Sequence, residues 1–140
     1  MSQPKTILAL DVGTKRIGIA LANLVARLPS PQGVIINDDK VIQNISDLIV
    51  KNDIMAVVVG LPRSLNGQET KQTQIVKDFA KRLGKELDVQ IYMQDEALTS
   101  KHAEAELEKN KSLYNKETID ALSAVYILED FLTEHRELKE

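Results

Sequence analysis

The sequence predicts an α/β fold: a mixed five-stranded sheet, part antiparallel meander and part parallel strands, flanked by helices. Three observations carry that reading. Three short apolar runs follow one another closely near the N-terminus, as in an antiparallel meander. Two further β-branched or apolar runs alternate with stretches of helical periodicity, and such alternation needs crossover connections and parallel strands. The chain has 140 residues, of which 43% are hydrophobic, enough for a substantial core.

The elements follow in order. Residues 6–10 read as a strand, and 17–21 as a second strand after a Gly-punctuated turn. Pro29 and Pro31 interrupt the chain, and 33–36 read as a third strand. Asp38 or Asp39 can cap a helix in which Val41, Ile42, Ile45, Leu48 and Ile49 recur at helical spacing. Residues 55–59 are a β-branched run suited to a buried strand, and 60–67 read as a loop. From about Glu69, the positions of Ile75, Val76, Phe79, Ala80 and Leu83 mark a second amphipathic helix, with Gly84 as its stop. Residues 89–93 form the fifth strand. Thr99 or Ser100 can cap a third helix containing Ala103 and Leu107. After a basic loop over 110–115, a last helix runs from near Glu117 to about Leu132. The order is β-β-β-α-β-α-β-α-α. With no internal repeat, low-complexity tract or linker, residues 1–140 read as one domain.

Composition narrows the function classes. Without cysteine, disulfides, thiolate zinc sites and a Cys nucleophile are excluded, and a reducing compartment is permitted. The N-terminus leads straight into a strand-like run, with no signal-peptide pattern, and the longest apolar stretch, 54–61, is too short to span a bilayer. These features make the cytoplasm the expected location. A net charge of −3 argues mildly against a general nucleic-acid binder, but the basic residues are unevenly placed. The acids at the C-terminal end read as a solvated helix face. His102 reads as a surface residue, and Tyr92, Tyr114 and Tyr126 show no stacking pattern. Aromatics at 4% make a base-stacking platform a poor expectation.

Three acids stand at the edges of apolar elements. Asp11 ends the first strand; such a carboxylate either meets a cation or hydrogen-bonds its own turn, where Gly13 supplies conformational freedom. The residues alone leave both readings open. Asp95 and Glu96 follow the fifth strand, where ligands gather in open α/β sheets, although a helix start nearby would also accommodate one acid. Asp120 is the only charge between Ile119 and Leu128, a stretch apolar nearly all around the helix. Ala124, one turn on, leaves space beside it. An ionised carboxylate buried there needs a partner; an acid in a first helical turn, favoured by the dipole, is the competing reading. Together the acids suggest metal-assisted phosphoryl chemistry, in which two hard cations roughly 4 Å apart activate water and stabilise the leaving oxygen. Carboxylates are suitable ligands for Mg²⁺ or Mn²⁺. Lys15, Arg16, Arg63, Asn66, Lys109, Lys111 and Lys116 are candidates to bind a nucleic-acid backbone. The 60–67 loop leads to a helix N-terminus that can receive phosphate, but it lacks the Gly-Lys-Ser/Thr of a Walker loop, and a plain Asn-Gly turn explains it equally well.

Read together, four blocks resemble the YqgF/RuvX family, assigned to pre-16S rRNA processing and formerly to Holliday junction resolution. They are LDVGTKRIGIA at 10–20, VVVGLPRSLNGQE at 57–69, YMQDEALTSKHAEAEL at 92–107 and KETIDALSAVYILEDFL at 116–132. The resemblance covers essentially the whole chain. It implies a ribonuclease-H-like fold and a metal-dependent nuclease whose acids fall on Asp11, Glu96 and Asp120, with Asp95 as an alternative to Glu96. Two departures stand out. Ala97 replaces the Arg of the usual Asp-Glu-Arg-Leu-Thr, removing a guanidinium that would contact phosphate or orient a carboxylate, and Ser123-Ala124 stands where two alanines are common.

The leading expectation is an endonuclease on structured precursor ribosomal RNA. A dimeric resolvase of branched DNA would use the same acids, and a non-catalytic module on RNA or ribosomal particles would need none of them. A sugar-kinase or actin-type ATPase also uses Asp-x-Gly loops, but needs two such domains. The oligomeric expectation is a monomer or a homodimer, with no membrane partner.

Overall fold

The computed structural model describes residues 5–64, 66–96 and 115–139. Within them the chain runs β1 (Thr6–Val12), β2 (Arg16–Asn23), β3 (Ser30–Ile36), α1 (Val41–Asn52), β4 (Ile54–Leu61), α2 (Lys71–Glu86), β5 (Gln90–Asp95) and α3 (Lys116–Glu134). The expected helix containing Ala103 and Leu107 lies outside the described residues, as do Ala97, His102, Lys109, Lys111 and Tyr114.

The five strands form one sheet in the order β3-β2-β1-β4-β5. β1 pairs antiparallel with β2, and β2 with β3. β1 pairs parallel with β4, and β4 with β5. This is the mixed sheet expected from the sequence, and its arrangement is that of a ribonuclease-H-like fold.

Strand alternation divides the apolar residues between two faces. Leu8, Leu10, Ile17, Ile19, Val57 and Val59 pack with Val41 and Ile45 of α1 and with Val76 and Leu83 of α2. Ile7, Ala9, Ala20, Ala56 and Val58 face the other way, against Ala124, Ile127, Leu128 and Phe131 of α3. The alanines on this second face leave room for the helix to approach the sheet closely.

Several boundaries differ from the sequence reading. β4 continues through Gly60 and Leu61, because β5 pairs with both through Gln94 and Asp95. β3 starts at Ser30 and includes Pro31; it lies at the sheet edge, where a missing N–H is tolerated. α1 is capped by Lys40 without a side-chain bond, while Asp38 accepts from the Lys40 amide and shapes the turn before the helix. α2 passes through Gly84 to Glu86 and ends at Leu87, which is extended. Its N-terminus carries a capping box between Thr70 and Thr73. Tyr92, expected to show no stacking pattern, packs its ring against Phe131 and His135.

Candidate active site

The same alternation sets the site. Ile7 and Ala9 face α3, so Asp11 continues that row at the end of β1. On β2, Ala20 and Ala22 share this face, which Gly18 continues opposite Asp11 in the β1–β2 ladder. On β4, Ala56 and Val58 lead to Gly60 in the same way. Just beyond β5, the Glu96 amide donates to the Leu61 carbonyl at 3.1 Å, fastening Glu96 to the end of β4.

Two glycines make the approach possible. A Cβ on Gly18 would lie 2.0 Å from the Asp120 carbonyl oxygen, so the backbone of α3 rests directly on β2 at this point. A Cβ on Gly60 would lie 2.4 Å from Ile127 Cδ1 and 3.0 Å from Glu96 Oε2, which places the Glu96 carboxylate over β4 on the α3 face. Asp11, Glu96 and Asp120 are thereby brought to one end of one sheet face, from three elements.

The electrostatics of the group are strained. Asp11 is pushed up from the usual carboxylate value of 3.8 to about 6, first by burial and then by the charge of Asp120. Asp120 is on the second turn of α3, because the helix begins at Lys116 under an Asn115 cap. Its Oδ2 accepts a 2.9 Å hydrogen bond from Arg16 Nε, with the two side chains 24% and 28% exposed. The β1–β2 turn that carries Lys15 and Arg16 is braced by Gly13 N–H to the Arg16 carbonyl and by the Asn37 side chain to the Gly13 carbonyl, 2.9 and 2.8 Å.

The other candidates are placed as follows. Arg63 Nε donates to both oxygens of Asp95 at 2.9 Å, and Arg63 also lies 3.9 Å from Glu69. Asp95 is thus engaged with Arg63 on the exposed rim. Asn66 Oδ1 takes part in its own turn, accepting from the Ser64 hydroxyl and the Gln68 amide. Lys15 is exposed. Lys116 opens α3. Gln94 was not singled out in the sequence; it is buried and donates to Glu134 at 2.8 Å, tying β5 to the far end of α3. Gly18 and Gly60 were also missed. An isolated Gly inside a strand pattern is a signal of close backbone approach, and that signal was present for Gly18 within 17–21, whereas Gly60 stood at the start of the expected 60–67 loop.

The donors suit a hard divalent cation: carboxylate oxygens, on a face where an added positive charge would relieve Asp11. They are not assembled around one point. Among the described residues no group of three His, Cys, Asp or Glu side chains is placed to hold a metal ion.

Comparison with known proteins gives a consistent relationship. A family model described as "RuvX: Holliday junction resolvase" matches residues 5–134. The chain is 41% identical over 128 residues to a protein of Sulfurihydrogenibium sp. (strain YO3AOP1) named "Putative pre-16S rRNA nuclease", covering 90% of this chain and 88% of that one. It is 38% identical over 138 residues to a Rickettsia felis protein of the same name, covering 94% and 88%. Among solved structures, T. thermophilus RuvC in complex with Holliday junction substrate matches with a TM-score of 0.63 at 13% identity, covering 94% of this chain and 96% of that one, a likeness of fold.

Proposed function

The chain belongs to the RuvX family of nucleases, enzymes that cleave phosphodiester bonds, and we propose that it is a metal-dependent endonuclease acting on precursor 16S ribosomal RNA in the cytoplasm. The observation that supports this reading most is that carboxylates from β1, the end of β5 and α3 lie toward the same end of one sheet face. In this reading Asp11, Glu96 and Asp120 hold Mg²⁺ or Mn²⁺. A divalent cation held there would supply an activated water and charge stabilisation at the leaving oxygen.

The chain's own side chains do the rest. Asp11 contributes a partly buried carboxylate at the end of β1. Glu96, fastened through its amide to β4, contributes a carboxylate beside Gly60 on the parallel side of the sheet. Lys15 and Arg63, with Asn66, Lys109, Lys111 and Lys116, hold the phosphate backbone. Arg63 arrives oriented by Asp95, which is the role we assign to Asp95 in place of a metal ligand. A missing guanidinium at position 97 leaves this task to Arg63.

The family description and the fold likeness to RuvC favour one second reading, a Holliday junction resolvase on the same acids. Symmetric cutting of a junction needs two sites, hence a dimer. Incubation with Mn²⁺ or Mg²⁺ of a labelled precursor rRNA fragment and a four-way DNA junction separates the two. RNA cleavage supports the leading reading. Cleavage of the junction alone, by a protein that sediments as a dimer, replaces it with the resolvase. RNA binding without cleavage of either substrate makes the chain a binding module and removes both.

A further inference from the structure

We propose that Arg16 is a built-in exchange cation: its guanidinium neutralises Asp120 while the acid cluster is empty, and a divalent cation displaces it toward the substrate phosphate. This rests on the metal-dependent reading above and adds a residue whose position depends on loading.

Three observations carry it. First, Arg16 Nε sits on Asp120 Oδ2 at 2.9 Å, so a positive group already occupies one of the carboxylates that would hold the metal.

Second, the backbone on both sides of the pair is fixed. The Arg16 carbonyl accepts from Gly13, and Arg16 pairs with Ile36 on β3. The Asp120 carbonyl rests where a Gly18 Cβ would be, at 2.0 Å. Ladder bonds hold the strand and core packing holds the helix, so the part freest to move is the arginine side chain.

Third, the pair is partly open, 24% and 28% exposed. An ion pair with solvent access is weak, whereas a divalent cation gains from two or more carboxylates at once. The exchange therefore runs toward the metal. The released guanidinium, planar and forked, is suited to bidentate contact with a phosphate. Charge then arrives at the substrate strand only when the acids are loaded, coupling metal occupancy to substrate grip.

The test follows the Arg Nε–Hε signals of ¹⁵N-labelled protein by NMR during a Mg²⁺ titration. Arg16→Lys assigns the Arg16 signal by its loss, and Arg16→Gln is titrated with Mn²⁺ by calorimetry beside the wild type. The expected result is that the Arg16 Nε–Hε signal leaves its hydrogen-bonded position and exchanges faster with solvent as backbone amides around Asp11 and Gly13 shift. Arg16→Gln, freed of its competitor, binds Mn²⁺ on the order of five- to tenfold more tightly. If the amides shift and the Arg16 signal stays, the exchange is wrong while the metal reading stands. If no amide near Asp11 responds, both fall. The wild-type NMR arm decides the matter even where a variant fails to fold.

Discussion

Asp11 is placed where an ionised carboxylate is disfavoured, and that fixes the sign of its pH response. Its folded value of about 6 lies above the ordinary 3.8, so the native state holds the proton more tightly than the unfolded chain. The associated stability is fully present below about pH 4 and is lost as pH rises through about 6. In metal-free protein Asp11→Asn should therefore gain on the wild type, by about 1–2 kcal/mol, between pH 4.5 and pH 7.5. Urea melts of both proteins in chelator at the two pH values check this; a constant difference contradicts it. The strain at Asp11 was legible in the sequence because an acid among apolar neighbours is an anomaly that needs no contact list. The partners were not. Arg16 and Asp120 are 104 residues apart, and Arg63 and Asp95 are 32 apart, distances over which only the folded sheet decides who meets whom.

The contact of α3 with the sheet sets the geometry at the scale of elements. Gly18→Ala drives a methyl into the Asp120 carbonyl, which is backbone and cannot yield. Thermal or urea unfolding should show a loss of about 3 kcal/mol or more, with cleavage lost as α3 is pushed away. Gly60→Ala meets the far end of Ile127 first, a group that can turn aside, and should cost about 1 kcal/mol. Ile127→Val in the same chain should recover part of that loss, a double-mutant comparison read by the same melts. Strand identities were readable from β-branched runs and the amphipathic stripes of α1 and α2. Their ends were not, and Gly60 shows why. Gly-Leu-Pro looks locally like a breaker, yet β5, some thirty residues on, extends the ladder across Gly60 and Leu61. Gly84 misled in the opposite way, since a glycine with ordinary helical geometry does not stop a helix.

Over the whole molecule, a net charge of −3 confines nucleic-acid binding to local basic groups. Among the described residues no helix is long and apolar enough to cross a membrane. If the backbone-binding assignment holds, replacing Lys109, Lys111 and Lys116 together with alanine flattens the logarithmic salt dependence of RNA binding by about 2–3. Filter binding over a range of potassium chloride measures it, and an unchanged slope removes those lysines from the interface. The fold class followed from the alternation of patterns along the chain, and the acids from their surroundings. The basic surface did not, because exposed lysines leave no periodicity to read and because Arg16 and Arg63 turn out to be engaged with acids.

The central claim is that Asp11, Glu96 and Asp120 act together as the cation-holding group of a nuclease. It is tested most directly by single-turnover cleavage of the precursor rRNA fragment in Mn²⁺ by the wild type and by Asp11→Asn, Glu96→Gln and Asp120→Asn, each checked for folding by its melt. The account predicts cleavage that chelator abolishes and that each substitution lowers by on the order of a thousandfold or more. Cleavage that survives any one of the three substitutions at near wild-type rate in a folded protein would contradict it.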